Sequence, residues 1–583
     1  LCDWSSDVCS SDLAPARATR ATSSRCSAGR ASCAPAPPAH RAEPKPKPKP
    51  KPKPRCAPTP PAHRAEPKPK PPPINIYFDC ETYTTKKFKH IPYLVCLKSD
   101  KEQKAFQSKY CFEEMLDYLA EKYGSLKFNE APELKLYAHN STYDGSFMLR
   151  LLMNLRILEK DSKYVSLNGT FCNWKGPEKK YINVCVKDSY RLIPMRLADI
   201  PKSLGFKDKA VKEVMYYNMF NHRTMDHITK MSTNELNKYI REFESNSHDT
   251  KKELEEKRNT FMSNLKKWDC QNDDGTYDLR KYSKIYCEMD CQVLKLGMEK
   301  WAELWKEIDP RIDVNDFYSL PSLAQYYFKI NDCFEGCVQL CGSLGAFFQN
   351  FVSGGRVMTR NNVKQFVRKC IQDFDAVSLY PSAMHLFEGF LKGMPKRITT
   401  TNYDKLKHYD GLFLKVRVTK VCKPRPFPVL SHLDKKAGTK NWTNDLVDKI
   451  CFLDKTGLED AITFQGVGFE VLDGYYFDQG FNKQIKEQIE VIFNKRLEAK
   501  AAGNDGLQQA YKLLMNSSYG KLIEKTPDTD IRYIPKEDVL RCVEKQYNHI
   551  KVWTPLKSSS YVRMETHKPL DESFSSPTLV VKS

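Results

Sequence analysis

The sequence has no apolar run near the ~20 residues that a membrane-spanning helix needs, so it reads as a chain that does not cross a bilayer. No basic segment followed by an apolar core opens it, and no secretory signal is expected. It has 20 cysteines but no CxxC pair, which argues against a zinc ribbon and against a disulfide scaffold. Cys333, Cys337 and Cys341 recur every four residues, the spacing of one helix face. Three thiols so placed are expected to pack as small hydrophobes. Cysteines scattered through a large basic chain point to a reducing compartment.

What the chain does have is positive charge and length. The formal net charge is +21 over 583 residues. Residues 1–73 hold 14 Lys and Arg against 5 Asp and Glu, so more than half of the excess lies on the remainder. A basic surface of that size suits a polyanion, with nucleic acid first. Two or three globular units fit the length. Residues 1–73 are expected to be a disordered Pro/Lys-rich tail. "CAPAPPAHRAEPKPKPKP" from Cys33 returns as "CAPTPPAHRAEPKPKPPP" from Cys56, and alternating Lys-Pro favours an extended, solvated tether. The opening "DWSSDVCSSDL" resembles a translated sequencing-adapter remnant, so residues 1–13 are set aside.

Patterned sequence starts at Ile74. "INIYFDCETY" is a β-prone run ending in acids, and strand-like and helix-like segments alternate to about residue 305. The expected fold is α/β and multidomain. Asp79 and Glu81 sit at i and i+2, on one face of a strand. Taken alone, the pair is also compatible with a solvated strand end. "YAHNSTYDGSFML" then offers Asn140, Tyr143 and Asp144, and "YCEMDCQVL" offers Tyr286 and Asp290, one helical turn apart. Four carboxylates from three segments can hold two divalent cations ~4 Å apart, a pair suited to phosphodiester hydrolysis.

D-x-E, N-x-x-[FY]-D and Y-x-x-x-D, in that order, resemble the signature of the 3′–5′ exonuclease domain of family B DNA polymerases. The resemblance implies an RNase H-like exonuclease domain at 74–305. Asp79, Glu81, Asp144 and Asp290 would bind metal and act in catalysis, with Tyr286 assisting. Asn140 and Tyr143 would hold the frayed primer end. Ser189, in "DSYRLIP", matches a single-strand-binding segment in which Tyr190 replaces the usual leucine. Lys212, in "FKDKAVKEVM", matches a lysine that steadies the scissile phosphate in the protein-primed branch; a surface charge is the alternative.

A second set of motifs lies downstream. "DFDAVSLYPS" resembles polymerase motif A, which implies Asp375 and the carbonyl of Ala376 as metal ligands. Tyr380 would exclude a 2′-hydroxyl. "KLLMNSSYGK" resembles motif B. Lys512, Asn516 and Tyr519 share one helix face, Gly520 closes the motif, and Lys500 on the preceding helix is a second phosphate ligand by resemblance. "FVSGGRV" partly matches the linker between the two activities, with Gly354, Gly355 and Arg356 expected near template phosphate. Residues 306–583 are thus expected to be an incomplete right-hand palm and fingers. The 136 residues from 376 to 511 resemble the insertion of the protein-primed branch, centred at about 400–480. The branch implies linear plasmids, viruses, virus-like transposons or organelles as its setting.

The implied cofactor is Mg²⁺, two ions per site, with Mn²⁺ as a substitute. The implied partners are DNA primer–template, dNTPs and a terminal-protein primer. Motif C has no convincing match. Asp528 and Asp530, in "TPDTDIRY", come only eight and ten residues after Gly520, and the segment reads as a polar turn. The chain is therefore expected to be a C-terminally truncated DNA polymerase that keeps proofreading. The alternatives are a stand-alone 3′–5′ exonuclease and a catalytically inactive DNA-binding remnant.

Overall fold

The chain is described from a computed structural model. It covers residues 73–567, apart from 161–162, 175–176, 339, 341, 369, 377, 435–437, 523–528 and 557–559. The predicted tail up to residue 72, Cys341 and Asp528 lie outside the described residues.

Seven strands form the first sheet. They are β1 (Ile74–Thr84), β2 (His90–Lys98), β3 (Gln103–Phe106), β4 (Glu133–Ala138), β5 (Met153–Lys160), β6 (Lys163–Cys172) and β7 (Tyr181–Asp188), in the order β3-β2-β1-β4-β7-β6-β5. β4 runs parallel to both β1 and β7, and the other neighbours are antiparallel.

Alternation along β1 assigns its two faces. Ile76, Phe78 and Cys80 join a core with Phe112, Met115, Leu116 and Leu119 of helix Cys111–Tyr123. Tyr77 points the other way, into a core with Leu294, Met298, Trp301 and Trp305 of helix Leu279–Ile308. Asp79 and Glu81 have the parity of Tyr77. The long helix starts cleanly because the Asp278 carboxylate accepts the Lys281 N–H at 2.9 Å.

The core around Trp301 and Trp305 continues into later sequence. Helices Leu320–Ile330, Gln484–Ala501 and Asp505–Leu522 add Leu323, Ile489, Ile492, Ala510, Leu514 and Met515 to it. The boundary predicted at 305/306 falls inside the long helix and within this shared core. A second, antiparallel sheet centres on strand Gly411–Val421, flanked by Ile450–Asp454 and Val467–Phe477, within the predicted insertion. No helix among the described residues is long and apolar enough to cross a membrane.

Two local expectations fail. The first is the polar turn expected around Asp530. Thr529–Pro535 is instead a strand, paired with Tyr561–His567, which also pairs with Ile550–Pro555. Ile531 and Tyr533 alternate toward the core of the first sheet, and the Tyr533 and Tyr561 hydroxyls donate to Glu159 and to the Leu152 carbonyl. Burial of that apolar alternation outweighs the turn signal of Thr and Asp.

The second is the helix face expected at Cys333 and Cys337. Cys333 lies in a turn after helix Leu320–Ile330, and Cys337 lies just beyond that turn in irregular chain. They still pack on the apolar core as expected.

The chain around Asp375 is irregular. Among the described residues, 363–376 form no strand. Phe366 and Phe374 are 93% and 85% exposed. A β-prone run stays unpaired where no neighbour supplies a ladder.

Candidate active site

The face of β1 that holds Asp79 and Glu81 meets helix Leu279–Ile308. The Cys287 thiol donates to the Asp79 carbonyl at 3.3 Å, and the Cys291 thiol donates to the Cys96 carbonyl of β2 at 3.3 Å. These contacts fix the helix register, and Tyr286 and Asp290 follow from it. Asp144 arrives on the short helix Thr142–Ser146 after β4, where its Oδ1 accepts from the Cys80 thiol at 3.0 Å. The structure places Asp144 and Asp290 close enough that the charge of each bears on Asp79 and Glu81.

Burial pushes the Asp79 and Glu81 carboxyls well above the usual carboxylate range. Charge on Cys287 and Asp290 acts in the same direction. Burial raises Asp144 to about 7, against the Cys80 hydrogen bond. Burial raises Asp290 to about 6, against the attraction of Lys212. Lys212 is ion-paired with Asp290 Oδ2 and lies over the Tyr286 ring, 4.7 Å from its centroid. Burial works against the lysine charge, but Asp290 and the neighbouring Tyr217 and Asp79 outweigh it and hold the ammonium form. The Tyr286 hydroxyl is held by that of Tyr217 at 2.6 Å.

Glu81, Asp144 and Asp290 are buried and Asp79 is half-buried, Lys212 is paired with Asp290, and the buried Oδ1 of Asp290 has no hydrogen-bond partner. Such a cluster resolves its charge by taking up protons or by taking up a divalent cation. Carboxylate oxygens suit Mg²⁺ or Mn²⁺. The residues present therefore fit the implied metal, with Asp79, Glu81, Asp144 and Asp290 as its holders.

The rim is open. Asn140 is exposed and left-handed, at φ 66°, and its N–H is fixed by Asp188 Oδ1 at 2.8 Å. Tyr143 is 39% exposed, with its hydroxyl held by Thr82 at 2.7 Å and His90 at 2.9 Å. Ser189 requires a correction. It is fully buried, and its hydroxyl donates to the Ala138 carbonyl and meets His139 Nδ1 at 2.9 Å. It is a structural pin and cannot reach a strand; its neighbour Tyr190 is the exposed residue.

His139 gives a pH-dependent outcome. Burial lowers its pKa to about 4, although the Met195 carbonyl hydrogen bond opposes the shift. The fold thus favours the neutral ring. Its contribution is complete above the unfolded value of ~6.5 and is lost as pH falls from there toward 4, about 3 kcal/mol in all. Urea unfolding at pH 7.5 and pH 4.5 should show that much less acid sensitivity in His139→Gln than in the parent chain. Equal slopes would refute this account.

The downstream residues are only partly assembled. Ser378, left-handed at φ 47°, turns the chain into helix Leu379–Leu386. There Tyr380 stacks on Tyr519 of helix Asp505–Leu522, with centroids 4.3 Å apart. Lys512, Asn516 and Gly520 are exposed on that helix, and Lys500 is exposed on the preceding one. Arg496, four residues before Lys500, reaches the Ser378 hydroxyl at 3.4 Å. Asp375 and Ala376 are exposed in irregular chain. Gly354 and Gly355 border open space, and Arg356 donates to the Pro428 carbonyl at 3.1 Å.

Sequence reasoning missed Cys287, Asp188, Tyr217 and Arg496. Cys287 was the most accessible of them, because it stands between Tyr286 and Asp290 on a helix already assigned to the site. Asp188 and Tyr217 act through contacts between distant segments, for which the sequence carries no local signal.

Residues 128–576 match the family described as DNA polymerase type B, organellar and viral. The chain belongs to that family. A DNA polymerase of Kluyveromyces lactis is 22% identical over 510 residues, covering 82% of this chain and 47% of that protein. A protein of Agaricus bitorquis described as "Probable DNA polymerase" is 24% identical over 453 residues, covering 75% and 51%. The chain thus spans about half the length of these relatives. Among solved structures, Phi29 DNA polymerase complexed with primer-template DNA and incoming nucleotides superposes at a TM-score of 0.52 and 16% identity, over 86% of this chain and 74% of that one. At that identity the likeness establishes a shared mixed α/β fold.

Proposed function

We propose that this chain is the exonuclease and partial polymerase region of a protein-primed DNA polymerase that proofreads with divalent metal. The observation that carries this reading is the electrostatic coupling of Asp79 and Glu81 to Asp144 and Asp290, with Lys212 paired to Asp290 and Asp290 Oδ1 left unpartnered. Membership of the organellar and viral type B family supplies the polymerase half. Mg²⁺ held by the four carboxylates would supply Lewis-acid activation of the phosphodiester and of the attacking water. The chain's own residues do the rest. Asn140 and Tyr143 receive the primer end at the open rim. Tyr286, held by Tyr217, presents a fixed hydroxyl, and Lys212 offers positive charge beside the acids.

On the polymerase side, Lys500 and Lys512 face solvent on consecutive helices and would meet the triphosphate of a dNTP. Tyr380 and Tyr519 form the aromatic floor under the sugar and base. The basic surface fits primer–template DNA. The sheet at 411–477 falls in the segment that we read as the insertion of the protein-primed branch, and a terminal protein is its proposed partner.

The test is a labelled primer–template incubated with Mg²⁺ and four dNTPs. Shortening is the expected result, and extension would show that the polymerase half is active as well; no shortening from folded protein would overturn the reading. Where extension occurs, Tyr380→Val should raise ribonucleotide insertion relative to deoxynucleotide by roughly 10²-fold, because the ring that meets the 2′-hydroxyl is gone. Unchanged discrimination would remove Tyr380 from that role. A second reading, exonuclease activity alone, is favoured by the exposed, strandless segment around Asp375.

A further inference from the structure

The acid cluster contains a group that a purely carboxylate centre does not need. Cys287 is fully buried on the long helix, three residues before Asp290 and therefore on the same helix face. Its Sγ and one carboxylate oxygen from each of Asp79 and Glu81 all lie within 4.8 Å of one another. No other such set of three His, Cys, Asp or Glu donors occurs among the described residues.

We propose that Cys287 becomes a direct metal ligand when a thiophilic divalent cation (Co²⁺, Zn²⁺ or Cd²⁺) enters this centre, which then binds it through mixed sulfur and oxygen donors. The inference rests on reading the acid cluster as a metal centre, and it adds a ligand and a metal class to that reading.

The dimensions suit it. A triangle with edges of at most 4.8 Å has its centre no more than about 2.8 Å from each corner, so contraction by roughly half an ångström reaches ordinary zinc–sulfur and zinc–oxygen lengths. The helix carrying Cys287 and the strand carrying the carboxylates are already joined by the thiol's contact with the Asp79 carbonyl. That contact is the thiol's present partner. Metal binding exchanges it for a metal–sulfur bond, and the thiol proton leaves to buffer. A second observation points to a cation at this place. Asp290, 2% exposed, keeps one carboxylate oxygen without a hydrogen bond beside the same groups. A soft thiolate added to hard carboxylates shifts selectivity away from Mg²⁺ and toward Zn²⁺, Co²⁺ and Cd²⁺. Zn²⁺ would then displace Mg²⁺ and stall primer shortening at concentrations that an all-carboxylate site tolerates.

Co²⁺ titration of the full chain tests this directly, because thiolate ligation gives an intense near-ultraviolet sulfur-to-cobalt band. Three chains are compared: the parent, Cys287→Ser and Asp79→Asn/Glu81→Gln. The other cysteines are common to all three, so the differences between spectra are diagnostic. The expected result is a band component present in the parent and lost in both variants. If Cys287→Ser keeps the full band while the carboxylate variant loses Co²⁺, the thiol ligand is wrong and the metal centre stands. If the carboxylate variant binds Co²⁺ as the parent does, the metal centre itself is wrong. Should Cys287→Ser fail to fold, X-ray absorption of the parent with one equivalent of Zn²⁺ decides. A sulfur at about 2.3 Å that is absent in the carboxylate variant supports the proposal. A shell without sulfur, or one unchanged in that variant, overturns it.

Discussion

Alanine at both Asp79 and Glu81 is expected to abolish Mg²⁺-dependent shortening of a labelled primer by the full chain. The two residues share one face of β1 and supply half of the four coupled carboxylates. Without them Asp144 and Asp290 remain, on separate elements, and cannot hold a cation pair. A metal that stabilises transition-state charge by several kcal/mol corresponds to a loss on the order of 10³-fold or more. Stability should move the other way. Burial and neighbouring negative charge disfavour ionisation of both carboxyls in the metal-free fold. Removing them relieves that repulsion, so metal-free Tm should hold or rise, while Mg²⁺ should no longer raise it. Any extension activity should persist, because Tyr380, Lys500 and Lys512 lie on other elements. Shortening that survives in the double variant would falsify the assignment. A collapse in metal-free Tm would show instead that the acids are structural.

The acids were legible in the sequence because each lies on a regular element with its own period. Asp79 and Glu81 follow strand alternation, and Tyr286 and Asp290 follow the helical turn. Helices Gln484–Ala501 and Asp505–Leu522, which carry Lys500 and Lys512, were legible for the same reason. What failed depended on distant chain. Ser189 matched a binding segment by residue type, yet His139 and Ala138, fifty residues earlier in sequence, bury it. Asp530 read as a turn because its strand needs Tyr561–His567 as a partner. Phe374 and its neighbours are β-prone, yet the chain around Asp375 stays irregular, because a strand exists only where a ladder forms. Cys287 shows a different limit. A cysteine beside a tyrosine on a helix looks like core, and only the geometry of β1 against that helix brings its sulfur to the carboxylates.

Lys212→Met should separate the two roles open to this lysine, surface charge and counter-ion of the acid centre. Methionine keeps an unbranched, apolar stem over the Tyr286 ring and removes only the charge. The Lys212 side chain is 24% exposed and that of Asp290 is 2% exposed, so the pair is largely screened from water. Removing one partner of such a pair typically costs 3–5 kcal/mol, and proton uptake by Asp290, whose pKa is already raised to about 6, offsets part of it near neutral pH. Metal-free Tm should therefore fall, and fall further as pH rises through and beyond 6, where the unpaired carboxylate must ionise. Mg²⁺ should restore more stability to the variant than to the parent, because the cation takes over the neutralising role. Primer shortening should drop by roughly 10²-fold, the scale of losing one charged group that faces the reacting phosphate. Adding Asp290→Asn should recover most of the metal-free Tm without recovering shortening. The double-mutant cycle then reads the coupling of the buried pair, which a surface lysine would not show. A Lys212→Met chain with unchanged Tm and unchanged shortening would return the lysine to the surface, and the centre would have to be neutral by protonation alone.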